Sequence, residues 1–211
     1  MTIDHLAMLK TFIFDLGNVL LLFSHERMFA QVGALCAKSA DDVRRVFIDD
    51  DLGTRFERGD VSETELRAEL ERRLDATFDR DQLDRALGDI FTPNEPMLRI
   101  VDELRRRGFR LVLLSNTNSV HVRWIQSHYD VLGKFDDCVL SYEVRAVKPE
   151  AAIFQRAIDC ARYTPPECFY TDDIADYVSA GRRSGLNSGV FTDATTFRQQ
   201  LVEYGVDLAA E

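Results

Sequence analysis

The amino-acid sequence predicts an α/β fold, a doubly wound parallel sheet with a block of helices inserted after its first strand. Three observations predict it. Short apolar runs recur without the strict alternation of a half-exposed strand, as expected where both faces of a parallel sheet are covered. Helical patterns separate the later runs, which is how parallel strands are joined. The long interval between the first two runs carries helical periodicity and no convincing strand.

The elements follow in order. The first run is TFIF at residues 11–14. Residues 24–90 then carry HERMFAQVGALCAK, DDVRRVFIDD and ETELRAELERRL, and at their end DQLDRALGDIF, each with helical spacing. Ser62 three residues before Glu65 is the signature of a capping box opening the third pattern. PNEPMLRIVDELRRRGF reads as a helix ending in Arg105, Arg106 and Arg107, where cations complement the macrodipole, with Gly108 just beyond. The remaining strands are RLVLLS at 110–115, CVLS at 138–141, CFYT at 168–171 and GVFT at 189–192. Between them lie the helical patterns VRWIQSHY, EAAIFQRAIDCARY and IADYVSAGRRSG, the last closed by Gly185 as a C′ glycine. Residues 1–23 and 91–211 are therefore expected to form one α/β core domain, and 24–90 a separate helical domain.

Composition narrows the partners. A chain of 211 residues with 45% hydrophobic and 29% charged residues has the profile of an ordinary globular protein with one substantial core. A formal net charge of −10 argues against nucleic acid, whose binding depends on Lys and Arg displacing counterions. Cys36, Cys138, Cys160 and Cys168 form no CxxC pair, so neither a zinc knuckle nor a disulfide framework is indicated, and a reduced, cytoplasmic setting is expected. No segment reaches the apolar length of a membrane span, and no membrane partner is expected. The apolar run after Lys10 is broken by Asp15 and lacks the small-residue cleavage pattern of a signal peptide.

The chemistry lies at the strand ends. In FIFDLGNVLLLF, Asp15 interrupts an apolar run, and an unpaired ionised carboxylate there would cost several kcal/mol or more to bury. In open parallel sheets ligands bind at the carboxyl ends of the strands. Those ends carry Asp15, Ser115-Asn116-Thr117 and Asp172-Asp173, and Lys148-Pro149 follows the third strand. Singly, each is what a turn, a helix cap or a solvated loop uses. Together they are the parts of phosphoryl transfer. Asp15 can attack phosphorus only where the substrate's charge is masked, which a divalent cation and Lys148 would do. Carboxylates and a backbone carbonyl suit magnesium. Ser115 and nearby backbone N–H groups suit phosphoryl oxygens at a helix N-terminus.

FDLGNVLL, LLSNTNS, VKPEAAIF and YTDDIADYVSAGRRSG, in this order and spacing, resemble the four motifs of the haloacid dehalogenase (HAD) superfamily. The resemblance covers nearly the whole chain, with residues 24–90 in the place of that family's helical C1-type cap on its Rossmann-like core. It is strongest for the phosphatases that open with DLGNV, among them bacterial α-D-glucose-1-phosphate phosphatases, and for the N-terminal phosphatase domain of soluble epoxide hydrolase. The resemblance implies a magnesium-dependent phosphatase acting on a small phosphate ester such as a sugar phosphate. It implies that Asp15 is the nucleophile of an aspartyl-phosphate and that Lys148 neutralises the phosphoryl group. Ser115 and Asn116 would bind phosphate. Asp15, the Gly17 carbonyl and Asp173 would hold magnesium directly, with Asp172 acting directly or through water, and Asp176 would orient Lys148 or a metal-bound water.

The likeness breaks at Gly17, where most phosphatases of the superfamily carry an acid/base Asp. Neither Asn18 nor Val19 transfers protons near neutral pH, and a positioned acid or base is typically worth about 10² to 10⁴ in rate. An anomeric sugar phosphate, with its easier leaving group, would suffer least. His25 is a candidate stand-in and Glu26 a weaker one. His121 and His128 share a helix face without a third zinc ligand nearby, and Trp124 between them reads as packing. Phe23, Phe47, Arg55 and Phe56 are candidate lining residues above the site. Two other functions stay open at this point. A metal-independent 2-haloacid dehalogenase is opposed by Asp172-Asp173, which would repel an anionic substrate and the departing halide, and by the absence of Tyr at position 17. A phosphate-ligand-binding homologue with weak turnover is suggested by Gly17 itself.

Overall fold

The computed structural model describes residues 8–208. The first apolar run forms β1 (Thr11–Phe14), every residue of it buried. β2 (Leu21–Phe23) follows, then α1 (His25–Cys36), α2 (Ala40–Arg44), α3 (Leu52–Glu57), α4 (Glu63–Leu74) and α5 (Arg80–Gly88). After β3 (Phe91–Pro93) the chain alternates: α6 (Glu95–Arg106), β4 (Arg110–Ser115), α7 (Ser119–His128), β5 (Asp137–Leu140), α8 (Ser141–Val144) and α9 (Ala151–Ala161). It ends with β6 (Cys168–Asp172), α10 (Ala175–Arg183), β7 (Asn187–Val190) and α11 (Ala194–Val202).

The main sheet is parallel, in the order β5-β4-β1-β6-β7. β1 is central because its side chains are apolar on both faces. Ile13 packs with Val112, Leu114 and Tyr170 beneath Ile153 and Phe154 of α9. Phe12 and Phe14 point the other way, into a core with Ile100 and Leu104 of α6 and Phe197 of α11. That second core runs on without a break into the helical block, through Phe47, Leu66 and Leu70. Phe14 stands beside Leu113 of β4 and Thr171 of β6, so the chain leaves the three central strands at one edge. This register delivers Asp15, Ser115 and Asp172 to the same place.

The expected strands and helices form, with four adjustments. The strand expected at 138–141 runs from Asp137 to Leu140, and Ser141 turns into α8 to bond the backbones of Thr117 and Glu57. The strand expected at 189–192 lies two residues earlier, because pairing with β6 sets Asn187 beside Phe169. DDVRRVFIDD divides into α2 and a π-helical turn at Arg45–Asp49. Phe91, expected at the end of a helix, instead pairs with Phe23 in an antiparallel ribbon of β2 and β3, which brackets the helical block. That helix ends at Gly88, where a Cβ would lie 2.7 Å from the Trp124 indole. α3 has no counterpart among the helical patterns read from the sequence. The Ser62–Glu65 capping box forms, with Ser62 N donating to Glu65 Oε2 at 2.8 Å. Gly108 and Gly185 take positive φ angles of 81° and 89° after their helices.

The four cysteines are free thiols. Among the described residues no helix is long and apolar enough to cross a membrane.

Phe154 is fully buried and meets the Tyr170 ring edge-on at 5.5 Å. Phe154→Ala is expected to lower unfolding free energy by about 3–5 kcal/mol, read as a lower denaturation midpoint.

Candidate active site

The site is built around one buried amine. Lys148 is 3% exposed, and its Nζ donates to Asp15 Oδ1 at 2.7 Å and to Asp172 Oδ2 at 2.6 Å. Burial works against its charge, but the two carboxylates outweigh that and hold its pKa above the ordinary lysine value. The Lys148 backbone is clamped as well: its N–H donates to Asn116 Oδ1 at 2.8 Å, and Asn116 Nδ2 donates back to the Lys148 carbonyl at 3.2 Å. The ammonium also sits 5.1 Å from the centre of the Tyr177 ring, within cation–π range.

Asp172 is fully buried, and its oxygens are occupied. Oδ2 accepts from Lys148 and from the Tyr170 hydroxyl, and Oδ1 accepts from the backbone N–H of Ile174 at 2.9 Å. Tyr170 reaches it because residue 181 is glycine; a Cβ there would lie 2.6 Å from the ring. Asp15 is 6% exposed, tied by its N–H to the Thr171 carbonyl at 3.0 Å. Burial pushes the Asp15 carboxyl up to about 7, with Lys148 opposing and Asp172 adding to the rise. Asp173 is half-buried, accepts from Asn18 Nδ2 at 3.1 Å, and is also shifted upward by burial. Asn18 makes that bond from a left-handed backbone, φ 55°, a region in which Asn is at ease.

These three carboxylates meet a single ammonium. Asp15, Asp172 and Asp173 each bring an oxygen to a cluster whose members lie within 4.8 Å of one another. Three acids against one buried cation leave negative charge uncompensated, and hard oxygen donors at this spacing fit a small divalent cation.

Asp15, Gly17, Ser115, Asn116, Lys148 and Asp173 line a cavity of about 210 Å³. Asp172 does not line it; it lies beneath, holding Lys148. Ser115 is 2% exposed and ends β4 at the cavity wall, four residues before α7 begins at Ser119. The Asn116 carboxamide is committed to Lys148, so its contribution here is to place the lysine. At Gly17 an added Cβ would lie 2.7 Å from Phe23 Cε1, so the ring occupies the space a side chain would need.

Other expected residues fall in and out of this space. Phe23 and His25 line the cavity, and burial lowers the His25 pKa, favouring the neutral imidazole. Phe47 and Phe56 line a second cavity of about 210 Å³ that opens among the helices. Arg55 is exposed and lines neither. Asp176 is exposed in the first turn of α10, outside the cavity lining, and Tyr177 faces the lysine instead. Glu26 is exposed and bonded to Ser24. His128 is exposed and stacked on Trp124, whereas His121 is buried and lines both cavities. Glu57, at the end of α3, also lines both and was missed because α3 was. Tyr170 carried a signal, being the residue two before Asp172 on the same face of a strand.

Residues 9–185 match the haloacid dehalogenase-like hydrolase family. The chain belongs to that family. Over 202 residues it is 25% identical to a D-ribitol-5-phosphate phosphatase of Bacteroides thetaiotaomicron, spanning 92% of this chain and 97% of that one. The fold is shared with an HAD-like family hydrolase of Porphyromonas gingivalis, at 25% identity, TM-score 0.80 and coverage of 96% and 100% of the two chains. It is also shared with an HAD family enzyme of B. thetaiotaomicron in complex with magnesium and inorganic phosphate. There the identity is 24%, the TM-score 0.79, and the coverage 88% of this chain and 95% of that one.

In this HAD-like hydrolase, Lys148→Met leaves Asp15 and Asp172 buried without their cation. The expected loss is about 3–5 kcal/mol at neutral pH and above. The Asp15 pKa rises further without the lysine, so a proton taken up by the folded state relieves the variant as pH falls toward about 4. Denaturant titrations at several pH values measure the deficit, which should shrink on acidification.

Proposed function

We propose that this HAD-like hydrolase is a magnesium-dependent phosphatase of small phosphorylated metabolites, sugar or polyol phosphates in class, working through an aspartyl-phosphate. The observation that carries the reading is the buried Lys148 shared by Asp15 and Asp172, with Asp173 beside them at the floor of a cavity. The ribitol-phosphate phosphatase among its relatives and the magnesium and phosphate held by a protein of the same fold support it.

In this reading Asp15, Asp173 and the Gly17 carbonyl hold the metal ion, with Asp172 acting from below. Bound there, magnesium masks phosphoryl charge and adds to the field of Lys148. Asp15 Oδ attacks phosphorus, the ester P–O bond breaks, and the alcohol leaves. Water then attacks the aspartyl-phosphate, releasing phosphate and the Asp15 carboxylate. Ser115 Oγ and the backbone N–H groups leading into α7 bind the phosphoryl oxygens, while Asn116 keeps Lys148 aimed at them. Residues 24–90 act as a cap that excludes water and contacts the leaving group. A dehalogenase reading fares worse, since three carboxylates with one amine would repel a haloacid's own carboxylate when no metal is bound.

A panel of sugar and polyol phosphates should release phosphate with magnesium and not with EDTA. Asp15→Asn should fall below about a thousandth of wild-type turnover with its fold intact. Chloride release from 2-chloropropionate without metal would replace the proposal.

Magnesium should also raise the melting temperature, and by more at pH 8 than at pH 5. The folded metal-free protein retains the Asp15 proton between roughly pH 4 and pH 7, so its stability declines as pH rises through that window. The cation binds the carboxylate form, so its stabilisation is largest where that form prevails. A thermal shift independent of pH would argue against Asp15 as a ligand.

A further inference from the structure

We propose that Glu57 is the general acid and base of the reaction, standing in from the helical block for the side chain absent at Gly17. This rests on the phosphatase reading. The two cavities share three wall residues of interest, His25, Glu57 and His121, while Asp15 and Lys148 line only the first. An ester seated with its phosphoryl group over Asp15 and its remainder in the second cavity passes these three. In that pose the oxygen that leaves phosphorus lies toward the junction they form.

Only one of the three can give up a proton there near neutral pH. Burial drives the His121 pKa down to about 4, and its Nδ1 faces the Asn118 amide at 3.1 Å. His25 is shifted the same way by burial. Burial favours the neutral form of both rings, and a neutral imidazole is a poor acid. For Glu57 the loss of hydration raises the pKa to about 7, against the pull of Lys148, so protonated and ionised forms coexist at working pH. Among the described residues its carboxyl has no hydrogen-bond or ion-pair partner that would hold either form; Lys148 and Tyr177 face it only through space.

The position of Glu57 is fixed by the loops that carry the phosphoryl site. Ser141 Oγ donates to the Glu57 carbonyl at 2.6 Å and accepts from the Thr117 N–H at 2.9 Å, two residues after Ser115. Arg58 pairs with Glu150, two residues after Lys148. Arg145 Nη2 donates to the Gly59 carbonyl at 3.0 Å. Gly59 has φ 79°, and a Cβ there would lie 2.3 Å from the Tyr142 carbonyl, so the contact requires glycine. Residues 57–59 are thus bolted to both sides of the catalytic loop pair.

The proton balance closes. As Asp15 attacks phosphorus and the ester P–O bond breaks, the Glu57 O–H passes its proton to the departing alkoxide. Its carboxylate then takes a proton from the water that attacks the aspartyl-phosphate, as the bond to Asp15 breaks and phosphate leaves. Ester and water become alcohol and phosphate, and Glu57 is again protonated.

The test compares an ester that needs an acid with one that does not. With saturating magnesium, kcat/KM of Glu57→Gln should fall by about 10² to 10⁴ on the best alkyl phosphate of the panel and stay nearly unchanged on p-nitrophenyl phosphate, whose leaving group departs unaided. Retained kcat/KM on the aryl ester also reports an intact fold and site, whereas kcat falls on both esters, because hydrolysis of the common aspartyl-phosphate has lost its base. Equal losses of kcat/KM on both esters, or none on either, overturn the proposal. Should the variant fail to fold, the wild-type enzyme decides across substituted phenyl phosphates: a shallow dependence on leaving-group acidity supports a proton donor, and a steep one overturns it. Absence of wild-type phosphate release from any ester would instead remove the phosphatase reading itself.

Discussion

The structure depends on the ion pairing of Lys148 with Asp15 and Asp172. Neither carboxylate nor ammonium is tolerable alone at this depth, since each would lose its hydration without return. Each is held because the others are there, and the surrounding residues exist largely to keep the geometry. Asn116 clamps the lysine backbone, Tyr170 and the Ile174 N–H complete the shell of Asp172, and Thr171 anchors Asp15. Three carboxylates around one amine leave an excess of negative charge that suits a divalent ion.

Packing around this group is fitted to the glycine at position 17. The Phe23 ring lies so close to the glycine that a Cβ at position 17 would require the ring to move. Phe23 belongs to the ribbon that leads into the helical block, so the same element that closes off position 17 also starts the excursion that brings back Glu57. A proton donor excluded from the strand end is thereby matched by a carboxyl delivered from the other side of the cavity. The anchoring of residues 57–59 by Ser141, Arg145 and Glu150 makes this a property of the closed arrangement rather than of a free surface helix.

The legible parts of the fold were those with local causes. Unalternating apolar runs, the capping box at Ser62 and the glycines at 108 and 185 each act within a few residues; the structure has the capping box and the glycines where the sequence places them, and the strands within two residues of their expected bounds. The convergence of Asp15, Ser115, Lys148 and Asp173 on one cavity was legible for a related reason: in a parallel sheet, strand ends and the loops that follow them converge whatever the strands contain. Asp176 and Arg55 were misjudged because the side of a short helix that faces a cavity depends on its packing. α3 went unread for a different reason, its six residues being too few to show a period.

By itself, then, the sequence determined a parallel sheet with an inserted helical block and the set of charged groups gathered at one edge of it, since periodicity, capping and strand order are written in neighbouring residues. Only the tertiary structure decided that Asp172 supports the lysine from beneath the cavity, that Asn116 serves Lys148, and that Glu57 lines the same cavity as Asp15. Those outcomes depend on which atoms exclude water from which others, and that is settled by contacts between residues far apart in the chain.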